Sequence, residues 1–178
     1  YDPNDPVCVD RPVEPVLASL DRGIDGLRIA VAGGYFRDGA FPEARTALER
    51  VAAALGANDE IDLPEARRAR AAAYTITATE GAALHLDRLR KQARDFDPAV
   101  RDRLLAGAMV PASLVVKAQK FRRWTARGLP GVAVPVPLKP MPIGVQIITA
   151  PWREDVALRI AHALEIKGVV AAPRPAGA

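Results

Sequence analysis

Cysteine and histidine are scarce in this chain of 178 residues, which contains one cysteine, Cys8, and two histidines, His85 and His162. A single cysteine excludes an intramolecular disulfide and a cysteine-based metal cluster within one chain. The two histidines lie far apart in sequence and both fall in helical patterns, so they do not predict a histidine metal site. We therefore expect neither a bound metal ion nor a cofactor.

Aromatic residues are also rare, at 5% of the chain, although the formal net charge is +4. The basic residues form short arginine and lysine clusters that fall on predicted helices and are interspersed with acidic residues. A nucleic-acid groove needs basic side chains interleaved with aromatic rings on which bases stack. The composition instead indicates solvated helix faces and predicts no direct binding of nucleic acid.

Long hydrophobic runs are absent as well. No stretch of eighteen or more uncharged apolar residues occurs, as a transmembrane helix would require. The first residues, Tyr1 to Pro6, have neither the basic start nor the apolar stretch of an export signal. We expect a soluble, cytoplasmic protein without a membrane partner, and a start at tyrosine suggests that residues upstream have been left out.

The first sixty or so residues show the pattern of a βαβ unit. A short apolar strand at 26–34 runs into a glycine turn, a helix opens at Pro42 and stops at Gly56, and a second strand covers 59–62. This spacing predicts a parallel pair of strands joined by a right-handed crossover.

Helices and then strands follow in the rest of the chain. The predicted elements are helices at 64–90, 98–124 and 153–167, an irregular, edge-like strand at 128–137 and a cleaner strand at 141–148. Gly107 and Pro111 are awkward inside the second of these helices, and Pro111 should kink or break it, because proline donates no backbone hydrogen bond. The order of elements predicts an α/β fold, a layered mixed sheet flanked by helices on both faces.

Short motifs do not identify a reaction by themselves. Gly33 and Gly34 follow a strand, but two bulky aromatic residues come next and no phosphate-loop pattern is present, which indicates an ordinary turn. Ser19 and Ser113 lie outside a nucleophile elbow, and a Ser-His-Asp triad would have to be assembled from distant residues. The residues alone therefore predict a fold class but no chemistry.

Several segments nevertheless resemble, in order, parts of the amidase signature family. The most specific is Pro-Ile-Gly-Val-Gln-Ile-Ile at 142–148 with Ala-Pro-Trp-Arg-Glu-Asp at 150–155, which looks like the closing strand and helix of these enzymes. Segment 128–135 is similar to the strand that leads into this closing part, and segment 26–36 to the strand that follows the catalytic core. Segment 1–6 is similar to the Asp-rich turn that closes the signature region. The chain thus resembles the C-terminal half of the family fold.

The resemblance implies hydrolysis of an amide by a serine nucleophile, a bridging serine and a lysine, with a Gly-Gly-Ser-Ser loop as oxyanion hole. No residue here matches those motifs, which we expect upstream of Tyr1, so no catalytic residue is assigned. The family also has a further core strand at a point where only three residues separate Trp124 from Gly128 in this chain. We expect a single partial domain, residues 1–178, with a segment missing at that point.

Within the family, the residues at 152–155 and the alanine-rich helix at 64–90 look most like the biuret-pathway branch. That branch implies hydrolysis of a C–N bond in a small urea-like or amide substrate. It also implies a homo-oligomer, and a small accessory subunit is a further expected partner. Two alternatives stay open. The chain is also similar to the A subunit of the glutamyl-tRNA(Gln) amidotransferase, and a non-catalytic fragment or scaffold would act through a partner alone.

Arg103 is the one residue that the resemblance singles out for contact with substrate. Arg103, followed by Gly107, matches an arginine that can bind a substrate carboxylate in the amidotransferase branch. A planar guanidinium suits a carboxylate bidentately, and a carboxylated biuret would offer one. The alternative is a surface ion pair of Arg103 with Asp102 or a neighbouring acid.

Overall fold

The computed structural model describes residues 1–6, 8–125 and 128–172. Its strands are β1 (Ala30–Ala32), β2 (Asp59–Ile61), β3 (Gly131–Val136) and β4 (Ile143–Ile148), and its helices are α1 (Pro42–Leu55), α2 (Ala66–Gln92), α3 (Pro98–Ala108), α4 (Ala112–Thr125) and α5 (Glu154–Ile166). Short 3-10 helices cover Val16–Arg22, Gly34–Phe36 and Ala93–Asp95. The predicted α/β class and the order of elements are confirmed.

These elements form two compact units. The sheet unit comprises Tyr1–Ala32, Arg37–Ile61 and Gly128–Ala178, and the helical unit comprises Gly33–Phe36 and Asp62–Arg127. A segment is expected to be missing between Trp124 and Gly128, and residues 126–127 of that stretch lie outside the described residues. No helix in the described ranges is long and apolar enough to cross a membrane.

The predicted βαβ unit is present in the sheet unit. Strands β1 and β2 pair in parallel, with Ala30 opposite Asp59, although each is only three residues long. Pro42 opens α1 at a position where its missing N–H costs nothing, and Gly56 ends the helix in the left-handed conformation at φ 65°. The local start and stop signals thus define α1 to the residue.

Strands β3 and β4 form an antiparallel hairpin, with Val134 opposite Val145. The irregular strand predicted from the prolines is in fact a regular strand of six residues. The physical reason is position, because Pro130 and Pro137 lie outside β3 and only Pro135 lies within it. The pairs β1–β2 and β3–β4 are separate two-stranded sheets in the described residues.

The core of the sheet unit lies on one face of the β3–β4 hairpin. Alternate hairpin residues are buried against the apolar faces of α1 and α5, as the two-residue period of a strand requires. The buried residues are Ala47, Val51, Val134, Val136, Val145, Ile147, Ile160, Leu164 and Val170. The opposite face carries Ala133, Gln146 and Ile148 and is exposed in the described chain, whereas the predicted fold has helices on both faces.

The first turn of α5 is held by an arginine and an aspartate. Arg153 donates to Asp155 through Nε at 2.9 Å and through Nη2 at 3.2 Å. This hydrogen-bonded charge lowers the pKa of Asp155 below its ordinary value. The acidic residues predicted for the first turn, Glu154 and Asp155, are therefore present, and Arg153 holds the Asp155 carboxylate in place.

In the helical unit, α2 packs against α3 and α4. The predicted break at Pro111 is confirmed, since α3 ends at Ala108 and α4 begins at Ala112. Gly107 has a different role, because a Cβ atom there would overlap the backbone carbonyl of Ala78 on α2. The glycine lets the two helices approach more closely than any larger residue would allow.

Candidate functional site

Arg103 lies on α3 with an exposed side chain. Its Nη2 donates a hydrogen bond of 2.5 Å to Oγ1 of Thr77, and its guanidinium lies 4.5 Å from the ring centroid of Tyr74. Among the described residues no acidic side chain pairs with Arg103, and Asp102 instead pairs with Arg101 through an Nε–Oδ1 contact of 2.9 Å. The structure therefore brings Arg103 to a hydroxyl and an aromatic ring of α2.

The crossing of α2 and α3 explains this placement. Tyr74 and Thr77 are three residues apart on α2, so they lie on one face of that helix. Arg103 and Gly107 are four residues apart on α3 and also share a face. The close approach at Gly107, against the backbone of Ala78, brings the Arg103 side chain within reach of α2.

The Thr77 hydroxyl has a defined hydrogen-bonding direction. Its Oγ1 lies 2.9 Å from the carbonyl oxygen of Ala73 and 3.3 Å from that of Tyr74. A hydroxyl has one proton to donate and two lone pairs that accept. Since the proton is directed to these backbone carbonyls, the oxygen is left to accept the Arg103 N–H.

Arg103 differs from many other arginines of the chain in its partners. Ion pairs with acidic side chains occur at Arg11, Arg37, Arg68, Arg90, Arg101 and Arg153. Within the described residues no such pair includes Arg103. Thr77 and Tyr74 are both uncharged in their ordinary state, so they orient the guanidinium without neutralising it.

This arrangement leaves Arg103 able to bind an anion. A guanidinium has five N–H donors, and one of those on Arg103 is taken by Thr77. The remaining donors include a pair with the fork geometry that binds both oxygens of a carboxylate. The site can therefore hold and orient a carboxylated ligand.

The other candidate residues are not brought together. The Ser19 hydroxyl donates to the Val16 carbonyl at 2.8 Å and not to a histidine. His162 Nε2 lies 3.3 Å from Asp21, whereas the His85 ring packs edge-on against Phe96 with centroids 6.1 Å apart. Across the described residues, no three histidine, cysteine or acidic side chains are grouped as metal ligands.

An open groove of about 440 Å³ lies among α2, α3 and α4. Its lining includes Ala82, Leu86, Val110 and Val115 and contains no titratable side chain. Such a surface packs against apolar groups and cannot transfer protons. No pattern in the sequence indicates this groove, and none connects Thr77 or Tyr74 with Arg103.

Comparisons with known proteins agree with this fold. No family model matches the chain. The AtzE chain of the 1-carboxybiuret hydrolase of Pseudomonas sp. (strain ADP) is 35% identical over 223 residues, which cover 94% of this chain and 49% of that protein. The A subunit of the glutamyl-tRNA(Gln) amidotransferase of Geobacter sp. (strain M21) is 30% identical over 151 residues, covering 68% of this chain and 31% of that protein.

A solved structure agrees over nearly the whole chain. It is the structure of a vestigial protein complex that reveals the evolutionary origins of an s-triazine catabolic enzyme. The match has a TM-score of 0.85 at 34% sequence identity and covers 96% of this chain and 49% of the chain in that complex. Fold and similarity together define a chain of the amidase type. It belongs to the amidase signature family, as its C-terminal half, and spans about half the length of the first curated relative it matches.

Proposed function

We propose that the protein carrying this chain is an amidase that hydrolyses a C–N bond in a small urea-like or amide substrate. In that reaction water is added across the bond, giving a carboxylic or carbamic acid and an amine or ammonia. The proposal is supported by the similarity to the 1-carboxybiuret hydrolase chain over 94% of this sequence. The described residues supply part of the pocket wall, and we assign the nucleophile and its base to residues outside this sequence.

Arg103 is the proposed contact with substrate. The observation that carries this role is its guanidinium, which Thr77 orients and no acid neutralises in the described chain. A carboxybiuret has a carboxylate at one end and amide bonds at the other. An arginine that binds the carboxylate would hold the scissile bond at a fixed distance from itself. A binding group can contribute to catalysis in this way without contacting the reacting atoms.

The test compares two substrates of similar size and different charge. Malonamate has one carboxylate and one amide, and malonamide has two amides and no charge. In the full-length protein we expect Arg103→Ala to lower kcat/KM for malonamate by about 10- to 100-fold, the range for losing a hydrogen bond to a charged group, and to change malonamide little. Ammonia release measures both reactions.

Arg101→Ala is the matched control, because Arg101 lies two residues away on the same helix and is already paired with Asp102. We expect this variant to resemble the wild type toward both substrates. An equal loss for malonamate and malonamide in Arg103→Ala would contradict the carboxylate role. Absence of ammonia release from any small amide by the wild type would contradict the amidase function itself.

The second candidate is a tRNA-dependent amidotransferase, with this chain as part of its A subunit. The match to the Geobacter protein favours it. It would need partner subunits and would show glutaminase activity, which a glutamine assay with and without added partners measures. A non-catalytic chain that acts through a partner is the third. Of these, the amidase accounts for the higher identity and the larger share of the chain matched.

Further features of the protein are part of the same proposal. We place it in the cytoplasm, as a homo-oligomer to which a small accessory subunit binds, and we treat residues 1–178 as one partial domain. We also place a missing segment between Trp124 and Gly128. That a segment is missing at all is supported by the alignment with the carboxybiuret hydrolase chain, which extends over 223 positions and is therefore longer than the 178-residue chain. Such an alignment contains positions that have no counterpart here.

A further inference from the structure

Thr77 is distinguished from the other threonines on the same helix. Thr75 Oγ1 bonds to the Ala71 carbonyl at 2.9 Å, and Thr79 Oγ1 bonds to Thr75 and Ile76 carbonyls at 2.7 and 3.0 Å. All three hydroxyls are thus turned back onto the backbone of α2. Among them, Thr77 also accepts a hydrogen bond from a side chain of another helix, that of Arg103.

We propose that Thr77 is a positioning residue that makes the site selective for carboxylated over neutral amide substrates, through the orientation it imposes on Arg103. This inference rests on the proposed function. An arginine on a surface has several rotatable bonds and loses much of that freedom when it binds a ligand. The contacts with Thr77 and Tyr74 restrict the guanidinium before substrate arrives, so less freedom is lost on binding.

The Thr77 hydroxyl carries no charge, and this neutrality also matters for selectivity. An aspartate or glutamate in this place would hold the guanidinium more strongly, and it would also compete with a substrate carboxylate for the same donors. A hydroxyl holds one N–H and leaves the charge available. The Arg103–Thr77 pair therefore favours the binding of anionic ligands, and it adds no binding free energy for a neutral amide.

Thr77→Val tests the inference, because valine keeps the shape of threonine and removes the acceptor oxygen. In the full-length protein we expect KM for malonamate to rise about 3- to 10-fold, the range for one hydrogen bond. We expect kcat to change less than KM, and both constants for neutral malonamide to stay within about twofold of the wild type. Thr77→Ser keeps the oxygen and should restore most of the malonamate affinity.

Thr75→Val is the control for the loss of a helix hydroxyl, since Thr75 Oγ1 donates to the Ala71 carbonyl of its own helix. Among the described residues Thr75 Oγ1 has no side-chain partner, so we expect this variant to behave as the wild type with both substrates. A Thr77→Val variant that affects malonamate and malonamide equally, or affects neither, would overturn the positioning role. A loss that serine does not restore would do so as well.

The positioning role can be judged separately from the reaction. If the wild type hydrolyses neither substrate, the amidase proposal fails, and malonamate binding is then measured by titration calorimetry on the same proteins. Weaker binding by Thr77→Val than by the wild type and Thr75→Val would support the role of Thr77. Equal binding by all three, or no binding by the wild type, would overturn it.

Discussion

At the scale of single residues, Gly107 determines how closely two helices approach. A Cβ atom at this position would overlap the backbone carbonyl of Ala78, and a backbone atom cannot turn aside as a side chain can. We expect Gly107→Ala to lower the free energy of unfolding by about 1–3 kcal/mol, the usual cost of overpacking, as measured by urea denaturation. The gain in helix propensity from alanine, about 1 kcal/mol, offsets part of this cost.

Gly144→Ala is a suitable control for that substitution. Gly144 lies in β4, where no heavy atom is found within 4 Å of a new Cβ atom and the backbone is not left-handed. We expect this variant to be as stable as the wild type or slightly more stable. Equal stability of Gly107→Ala and the wild type would show that α2 and α3 can separate without cost.

The candidate site was predictable at one residue only. The resemblance to the amidase signature family pointed to Arg103, but Thr77 is 26 positions away, and no local pattern connects the two. Their contact depends on which faces of α2 and α3 meet. Gly107 looked like a weak point in a helix, because a single sequence does not tell a glycine that weakens a helix from one that packs against its neighbour.

At the scale of elements, local signals predicted the helices well. Pro42 and Gly56 bound α1, and Pro111 separates α3 from α4, because the backbone chemistry of proline and glycine acts within a turn or two. Strand β3 was harder, since a proline inside a strand argues against regular pairing. Its regularity depends on β4, a partner that no local pattern specifies.

The start of α5 depends on the charge of one carboxylate. Asp155 lies in the first turn, where a negative charge interacts favourably with the helix dipole, and Arg153 lowers its pKa. We expect Asp155→Asn to lower the free energy of unfolding by about 1 kcal/mol at pH 7, measured by urea denaturation. Glu154→Gln, in the same turn but with an exposed side chain, should cost less.

The same interaction has a defined pH dependence. Because the pKa of Asp155 is lower in the folded state than its ordinary value of 3.8, the carboxylate stabilises the fold fully above that value. Its contribution is lost as the pH falls through the folded-state pKa. The difference in stability between the wild type and Asp155→Asn should therefore shrink as the pH falls below 3.8, and a difference that instead grows over that range would contradict this account.

At the scale of the whole molecule, the sheet unit has one covered and one exposed face. Val134 and Val145 are buried against the helices, whereas Ala133, Gln146 and Ile148 on the opposite face are exposed in the described chain. The chain also spans about half the length of the carboxybiuret hydrolase protein it matches. Composition and periodicity predict which residues form a sheet, but they do not reveal what covers each side of it.

We therefore expect the 178-residue chain, produced alone, to self-associate through the exposed hairpin face, because that face leaves the apolar side chains of Ala133 and Ile148 in contact with water. Sedimentation velocity should show species larger than the 19.0 kDa monomer, and Ile148→Lys should shift the distribution toward monomer. Leu84→Lys is the control, since Leu84 is 78% exposed on α2, away from the hairpin in sequence. A folded, monodisperse monomer would contradict the prediction, and dissociation by Leu84→Lys alone would assign the contact to the helical unit.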